Sequence, residues 1–320
     1  MSKNKVLFLD PTHPFLKDRL EELGFDCEED LESDREALRS RLPAYFGLVV
    51  RSRVDLDANF LAPGENLAFI ARYGVGTEHI DLEFTRQKAI KVFTSPEGSR
   101  DAVAEHAMGL LLALMNKLVR ADRQVREGRW VREDNRGTEI RGKTVGILGY
   151  GNMGQAFARR LSGFGAEVIA YDKFKTDYGD EFAEAVSLDA LFQRSDILSV
   201  HIPYTPENEY FINAAFIDRF HKPIWLVNTA RGKVLHTFDL VAKLKDGKVP
   251  GAALDVLEYE DGSFTALRAD NNPAPLQYLI DSGQVILSPH IAGWSHESRL
   301  KHAQVLADKI EQHFGEKNAS

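Results

Sequence analysis

The stretch TVGILGYGNMG, Thr144 to Gly154, is an apolar strand that runs straight into a turn with glycines at 149, 151 and 154. That G-x-G-x-x-G spacing restricts what can follow. The first glycine permits a tight turn, the second lets backbone N–H groups approach a pyrophosphate, and the third lets a helix pack closely on its strand. A helical segment, MGQAFARRLSGFG, does follow. The next strand, EVIAYD, ends on Asp172, eighteen positions past Gly154. This is close to the roughly 20 at which a carboxylate meets a ribose 2′-OH. A turn in this context predicts a dinucleotide site, with NAD favoured over NADP because a carboxylate repels a 2′-phosphate. Lys173 and Lys175, just beyond, blunt that preference. Such a turn usually opens its domain, yet here more than a hundred residues precede it.

The order of elements explains the position. Before residue 100, short apolar strands (KVLFL, FGLVV, LAFIARYG, IKVFTS) alternate with helical segments such as FLKDRLEELG, and alternation of this kind predicts a parallel sheet covered on both faces. The acidic run CEEDLESDRE, Cys27 to Glu36, reads as the solvated face or cap of a surface helix. From Asp101 to Trp130 there is no proline, and apolar positions recur at helical spacing, which predicts one long helix. Strands and helices then alternate again as far as QVILSPHIAG. After Gly293 only one helical segment remains. A single helix needs another core to cover its apolar face. The expected organisation is therefore a discontinuous outer domain, residues 1–100 plus 294–320, with a dinucleotide-binding domain, 101–293, inserted into it.

Composition narrows the function classes. The chain has 320 residues, 43% of them hydrophobic and 28% charged, with a net charge of −8. The acidic balance predicts neither a nucleic-acid nor an acidic-membrane partner. The lone Cys27 allows no intrachain disulfide and no thiolate metal cluster. The N-terminus lacks the apolar core and cleavage site of a signal peptide. The longest apolar run, Ala107 to Met115, is nine residues, against the ~20 that span a bilayer. A cytoplasmic location is expected.

Hydride chemistry on an alcohol or carbonyl needs a proton acceptor and an anchor, and in doubly wound sheets such groups lie beyond the carboxyl ends of strands. Three candidates sit there. Arg231 follows WLVNTA and offers a planar fork for a carboxylate or 2-keto acid. His290 follows QVILSP and is placed to act as general acid/base. Glu260, past ALDV, could orient the histidine and favour its charged form, although Glu258 and Asp261 are equally placed by position. No H-E-x-x-H, H-x-x-E-H or G-x-S-x-G pattern occurs, so no metal and no serine nucleophile is expected.

The motifs VVRSR, ARYGVGTEHID, GILGYGNMG, HIPYTPEN, VNTARGKVL, GAALDVLEYE and SPHIAGW occur in order from about Leu48 to Gly293. In these the chain resembles the D-isomer-specific 2-hydroxyacid dehydrogenases, in the short form similar to phosphoglycerate, glycerate and hydroxypyruvate dehydrogenases. The resemblance implies a Rossmann NAD-binding domain inserted into a flavodoxin-like substrate domain, with the active site in the cleft. It implies Arg231, Glu260 and His290 as catalytic residues, Glu260 being chosen by its distance from the ALDV motif. It implies that Gly149, Gly151, Asn152, Met153, Gly154, Asp172, Pro203, Ala230, Asp255 and Gly293 line the cofactor. The substrate would meet the main-chain N–H groups of Val75 and Gly76, with Ser52 or Arg53 nearby and Arg231 opposite. A homodimer built partly on the helix from Asp101 is implied, and a small 2-hydroxy or 2-keto acid as substrate. Arg51 and Arg53 resemble a basic pair that meets a phosphate in some relatives.

The chain departs from the family at three places. Ser99 stands where an asparagine is usual, Asp261 where a proline often follows the glutamate, and 320 residues leave no room for the regulatory domain of the long phosphoglycerate enzymes. Two other functions share the fold: a non-enzymatic NAD(H)-sensing regulator and a formate- or phosphite-type dehydrogenase.

Overall fold

Two units divide the chain, residues 1–99 with 294–320 and residues 100–293. The computed structural model describes residues 4–260 and 272–318. Asp261, which stands where a proline often follows the glutamate, lies outside the described residues.

In the first unit, five parallel strands are ordered β2-β1-β3-β4-β5, with β1 at Lys5–Phe8, β2 at Asp26–Glu29, β3 at Gly47–Val50, β4 at Phe69–Arg72 and β5 at Lys91–Thr94. This is the order of flavodoxin-like sheets. Helices α1 (Pro14–Glu22), α2 (Arg35–Arg41), α3 (Ala58–Leu61) and α4 (Leu82–Gln87) make the crossovers. Local chemistry sets their starts: the side chains of Asp34, Asp57 and Asp81 each accept a backbone N–H of the turn they cap. The closing helix, His296–Asn318, completes this core. Its Ala303, Leu306, Ala307, Ile310 and Phe314 recur at helical spacing and pack with Leu16, Leu20, Phe25 and Phe69.

The acidic run differs from its sequence reading. It begins as β2, an edge strand paired to β1 with Cys27 opposite Val6, and only from Arg35 becomes helix. An edge strand has solvent within reach of both faces, so DCEE can be a strand without burying charge.

In the second unit, seven parallel strands are ordered β12-β11-β10-β9-β6-β7-β8. They are β6 (Thr144–Leu148), β7 (Glu167–Tyr171), β8 (Glu184–Ala185), β9 (Ile197–Val200), β10 (Trp225–Asn228), β11 (Ala252–Leu254) and β12 (Val285–Leu287). From β8 to β11 the order is the Rossmann order, with β12 added at the edge. Adjacent residues of β10 face opposite cores: Leu226 packs with Leu198 and Leu254, and Val227 with Ile147 and Phe157. Helices α5 (Pro96–Met115) and α6 (Leu118–Arg126) lead into this unit, followed by α7 (Asn152–Leu161), α8 (Leu188–Arg194), α9 (Ala214–Asp218), α10 (Thr237–Lys245) and α11 (Ala274–Asp281).

The single long helix expected from Asp101 is two helices bent by 63°. Lys117, between them, is left-handed with φ 54° and ψ 32°. The Met115 carbonyl, released from the helical ladder, accepts the Thr138 N–H at 2.9 Å. A returning segment therefore takes over the hydrogen bond that continuing helix would have made. Among the described residues no single helix is long and apolar enough to cross a membrane.

Candidate functional site

Each candidate in the second unit leaves a carboxyl end of the same sheet. The glycine turn follows β6, Asp172 follows β7, Pro203 follows β9, and Arg231, Glu260 and His290 follow β10, β11 and β12. The last three strands are neighbours, with Asn228 paired to Leu254 and Leu254 to Leu287. Parallel pairing thus brings three residues, 59 positions apart at the extremes, to adjacent strand ends.

His290 and Glu260 form the centre. His290 Nδ1 lies 2.6 Å from Glu260 Oε2, and Glu260 Oε1 accepts the Leu257 N–H at 2.5 Å. Both side chains are largely screened from solvent, 21% and 14% exposed. With Nδ1 directed at a carboxylate, the proton on that nitrogen is fixed and proton exchange with a bound molecule goes to Nε2. Glu258, left open by position, is employed elsewhere: it accepts the Tyr210 hydroxyl at 2.7 Å and the Thr237 N–H at 2.9 Å.

His290 itself has a left-handed backbone, φ 54°. Its N–H reaches the carbonyls of Asp255 (2.8 Å) and Ser288 (3.1 Å). The Asp255 carboxylate holds the rest of the turn. It accepts the Ser288 hydroxyl at 2.6 Å, the Ile291 N–H at 3.0 Å and the Ala292 N–H at 2.8 Å, and His106 Nε2 lies 3.4 Å away. Asp255 is 1% exposed. Burial alone would raise its pKa, but the bonds from His106, Ser288 and the two amides outweigh it and hold the carboxyl below its ordinary value. Asp255, expected among the cofactor contacts, thus has its oxygens turned to the His290 turn. His106 was missed from sequence. Only its place on α5, one side of Ser288 Oγ at 2.9 Å, reveals it.

Arg231 sits in a turn that Asn228 braces, its side-chain amide donating to the Arg231 carbonyl and its oxygen accepting the Ala230 N–H. Arg231 Nη1 donates to the Ala230 carbonyl at 2.7 Å.

The glycine turn fits a dinucleotide. A Cβ on Gly154 would lie 2.2 Å from the Gly149 carbonyl oxygen, so close helix packing excludes any side chain. A Cβ on Gly151 would meet no protein atom within 4 Å. The space above the turn is open, next to the unpaired N–H groups that begin α7 at Asn152 and Met153. Asp172 accepts the N–H groups of Tyr150 and Phe174, each at 2.9 Å, which aims its carboxylate at the end of this turn. Lys175 donates to the Tyr150 carbonyl and Lys173 lies 3.6 Å from Glu207. Gly293 and Ala230 are half-buried and Pro203 is exposed.

In the first unit the RSR turn after β3 is organised by Asp10, whose Oδ2 accepts the N–H groups of Arg51, Ser52 and Arg53. The Arg53 guanidinium is turned inward to the carbonyls of Leu9, Asp30 and Ser33. Arg51 instead lies over the exposed Trp294 ring, 4.4 Å from its centre. Val75 and Gly76 follow β4 in the YGVG loop, with Val75 exposed. Ser99, in place of the usual asparagine, is buried in the first turn of α5.

The family model described as D-isomer specific 2-hydroxyacid dehydrogenase, NAD binding domain, matches residues 108–292. The chain is 37% identical over 287 residues to a hydroxypyruvate reductase of Thermotoga maritima, covering 90% of both chains. It is 34% identical over 308 residues to a D-3-phosphoglycerate dehydrogenase of Archaeoglobus fulgidus, covering 96% of this chain and 56% of that longer protein. A D-lactate dehydrogenase from Aquifex aeolicus, crystallised with NAD and lactic acid, superimposes with a TM-score of 0.81 at 28% identity over 98% of this chain and 97% of the other.

Proposed function

The chain belongs to the D-isomer-specific 2-hydroxyacid dehydrogenases, a family of NAD(P)-dependent oxidoreductases, and on that premise we propose that it interconverts a small D-2-hydroxy acid and its 2-keto acid using NAD. The observation that carries the reading is the His290–Glu260 pair at neighbouring strand ends, with Nδ1 bonded to the carboxylate at 2.6 Å.

A dinucleotide, its pyrophosphate held by the turn at Gly149, Gly151 and Gly154 and its ribose by Asp172, would supply the two-electron oxidant for C2 of the hydroxy acid. The chain's own residues handle charge and protons. His290 Nε2 accepts the hydroxyl proton as the C–O bond gains double-bond character. Glu260 stabilises the imidazolium that results. The Arg231 guanidinium binds the substrate carboxylate and the carbonyl oxygen, and the N–H groups of Val75 and Gly76 hold the carboxylate. In reduction the same proton returns from Nε2. Orientation by such groups can lower a barrier by roughly 7–11 kcal/mol in well-aligned cases.

Asp172 supports NAD over NADP, since its carboxylate faces the glycine turn and would repel a 2′-phosphate. Lys173 and Lys175, which could soften that choice, lie against Glu207 and the Tyr150 carbonyl. The substrate candidates are phosphohydroxypyruvate, hydroxypyruvate, glyoxylate and pyruvate. With Arg53 turned inward, Arg51 is the side chain of the pair offered to a distal acid group. A homodimer is supported by the apolar surface of α6, where Leu118, Val119 and Val125 are each more than half exposed.

The deciding assay follows NADH oxidation with those four 2-keto acids. Turnover of at least one, with NADPH a poorer donor, is the expected result. Tight NADH binding without turnover of any of them, or turnover only of formate or phosphite with NAD, would replace this reading.

A further inference from the structure

The loop that carries Val75 and Gly76 is anchored by groups with no part in the reaction above. Arg72 ends β4 and is buried, 8% exposed. Its Nε donates to the Gly76 carbonyl and its Nη1 to the Tyr73 carbonyl, both at 2.6 Å. One rigid fork therefore bridges both ends of the four-residue turn Tyr73-Gly74-Val75-Gly76. Each carbonyl lies in one plane with the next residue's N–H, so fixing the Tyr73 and Gly76 carbonyls pins the peptide units at the two ends of the turn, and the Val75 and Gly76 N–H groups are held between them.

Gly74, inside the bridge, has φ +141°, and a Cβ there would lie 1.9 Å from Arg72 Nη1. Backbone and guanidinium thus fit only with glycine at that position. A second clamp comes from the other side. The Gly74 N–H donates to Ser95 Oγ at 3.1 Å, its carbonyl accepts the Ser95 N–H at 2.8 Å, and Ser95 Oγ lies 2.7 Å from His302 Nδ1. Buried His302 and partly buried His79 are both held down to about 4, mainly by burial and further by the Arg72 charge.

We propose that Arg72 is a positioning residue for the substrate carboxylate, acting through the Gly76 and Tyr73 carbonyls to set the direction of the Val75 and Gly76 N–H groups. This rests on the functional reading given above. A fixed cation behind the loop also adds favourable potential at the place where the carboxylate arrives. Lysine cannot replace it, because an ammonium has no planar fork to bridge two carbonyls at once.

The test is steady-state kinetics of the holoenzyme for wild type, Arg72→Lys and Gly74→Ala, with the best 2-keto acid from the panel. Both variants are expected to raise the KM for the keto acid by about tenfold or more, since a misdirected amide loses a charge-assisted bond. The inhibition constant of oxamate should rise in parallel. NADH affinity, read by fluorescence titration, should stay within about twofold, and kcat should fall by less than the KM rises. A merely structural role would lower the thermal midpoint and the active fraction without splitting KM from kcat.

If either variant aggregates, the other carries the test, since the two perturb the same bridge from opposite sides. Wild-type turnover together with an unchanged keto-acid KM in a folded variant overturns the proposal. Absence of wild-type turnover overturns the functional reading, and this proposal with it.

Discussion

At the scale of single residues, His290 combines a left-handed backbone with an Nδ1–Glu260 bond of 2.6 Å. A non-glycine residue in that conformation costs of order 1–3 kcal/mol and persists only where its surroundings enforce it. Here the Asp255 carboxylate and carbonyl do so. His290→Gln is expected to bind NADH as wild type does and to lose on the order of 10²–10⁴-fold in kcat. A stopped-flow binding measurement beside a turnover assay checks both halves, and retained turnover would remove His290 from its role. Asp255→Asn leaves the turn's donors facing a poorer acceptor and is expected to destabilise the protein by about 1–3 kcal/mol, read by urea denaturation. The linkage has a definite sign. The Asp255 carboxyl is depressed from 3.8, so its contribution is fully present above that value and is lost as pH falls through the lower folded one. Wild type and Asp255→Asn should therefore converge in stability only below about pH 4. His290 stood out in the sequence by its place at a strand end, whereas Glu260 was level with Glu258 and Asp261 by position and was singled out only by the family resemblance. The inward turn of Arg53 was not legible, since its acceptors on Leu9, Asp30 and Ser33 come from other parts of the chain.

At the scale of elements, the doubly wound sheets were legible because FGLVV, TVGILG and WLVNTA are short apolar runs bounded by turn residues. Two readings went astray for opposite reasons. DCEE looks too charged for a strand, but an edge strand leaves charge in water. The α5–α6 break carries no glycine or proline to announce it. Lys117 takes the left-handed position, and the signal lies in Thr138, twenty-one residues on. Lys117→Gly is expected to leave the fold intact and change stability by about 1 kcal/mol or less in either direction, as relief of strain opposes chain entropy and loss of the Asp134 bond. A loss well above that in chemical denaturation would mean the turn is held mainly by the lysine side chain. On α6, Val119→Glu combined with Val125→Glu places charge on the exposed apolar surface. Light scattering should then report half the wild-type mass, and an unchanged mass would rule this surface out as the dimer contact.

At the scale of the whole molecule, three histidines, one buried and two partly buried, add to the response to acid. His79 and His302 in the first unit and His201 in the second are each pushed down to about 4, chiefly by burial. An unfolded histidine takes up its proton near 6.5, so stability is full above that pH and declines as pH falls from 6.5 toward 4. Each group can contribute up to about 1.4 kcal/mol per pH unit in that window. Urea midpoints measured at pH 8 and pH 5 should differ clearly, and His302→Asn should reduce the difference. Alternation announced two parallel sheets covered on both faces, and the family resemblance supplied their Rossmann and flavodoxin-like character. The lone helix left over after Gly293 pointed to a partner core, and it adds Ala303, Leu306, Ile310 and Phe314 to the cover of the first sheet. Those residues leave the ribosome only after the entire second unit has done so. During synthesis the earlier-made sheet must wait with one hydrophobic face only part-covered by α1, while the later-made unit is free to fold ahead of it, and a chaperone that shields that face would bridge the delay.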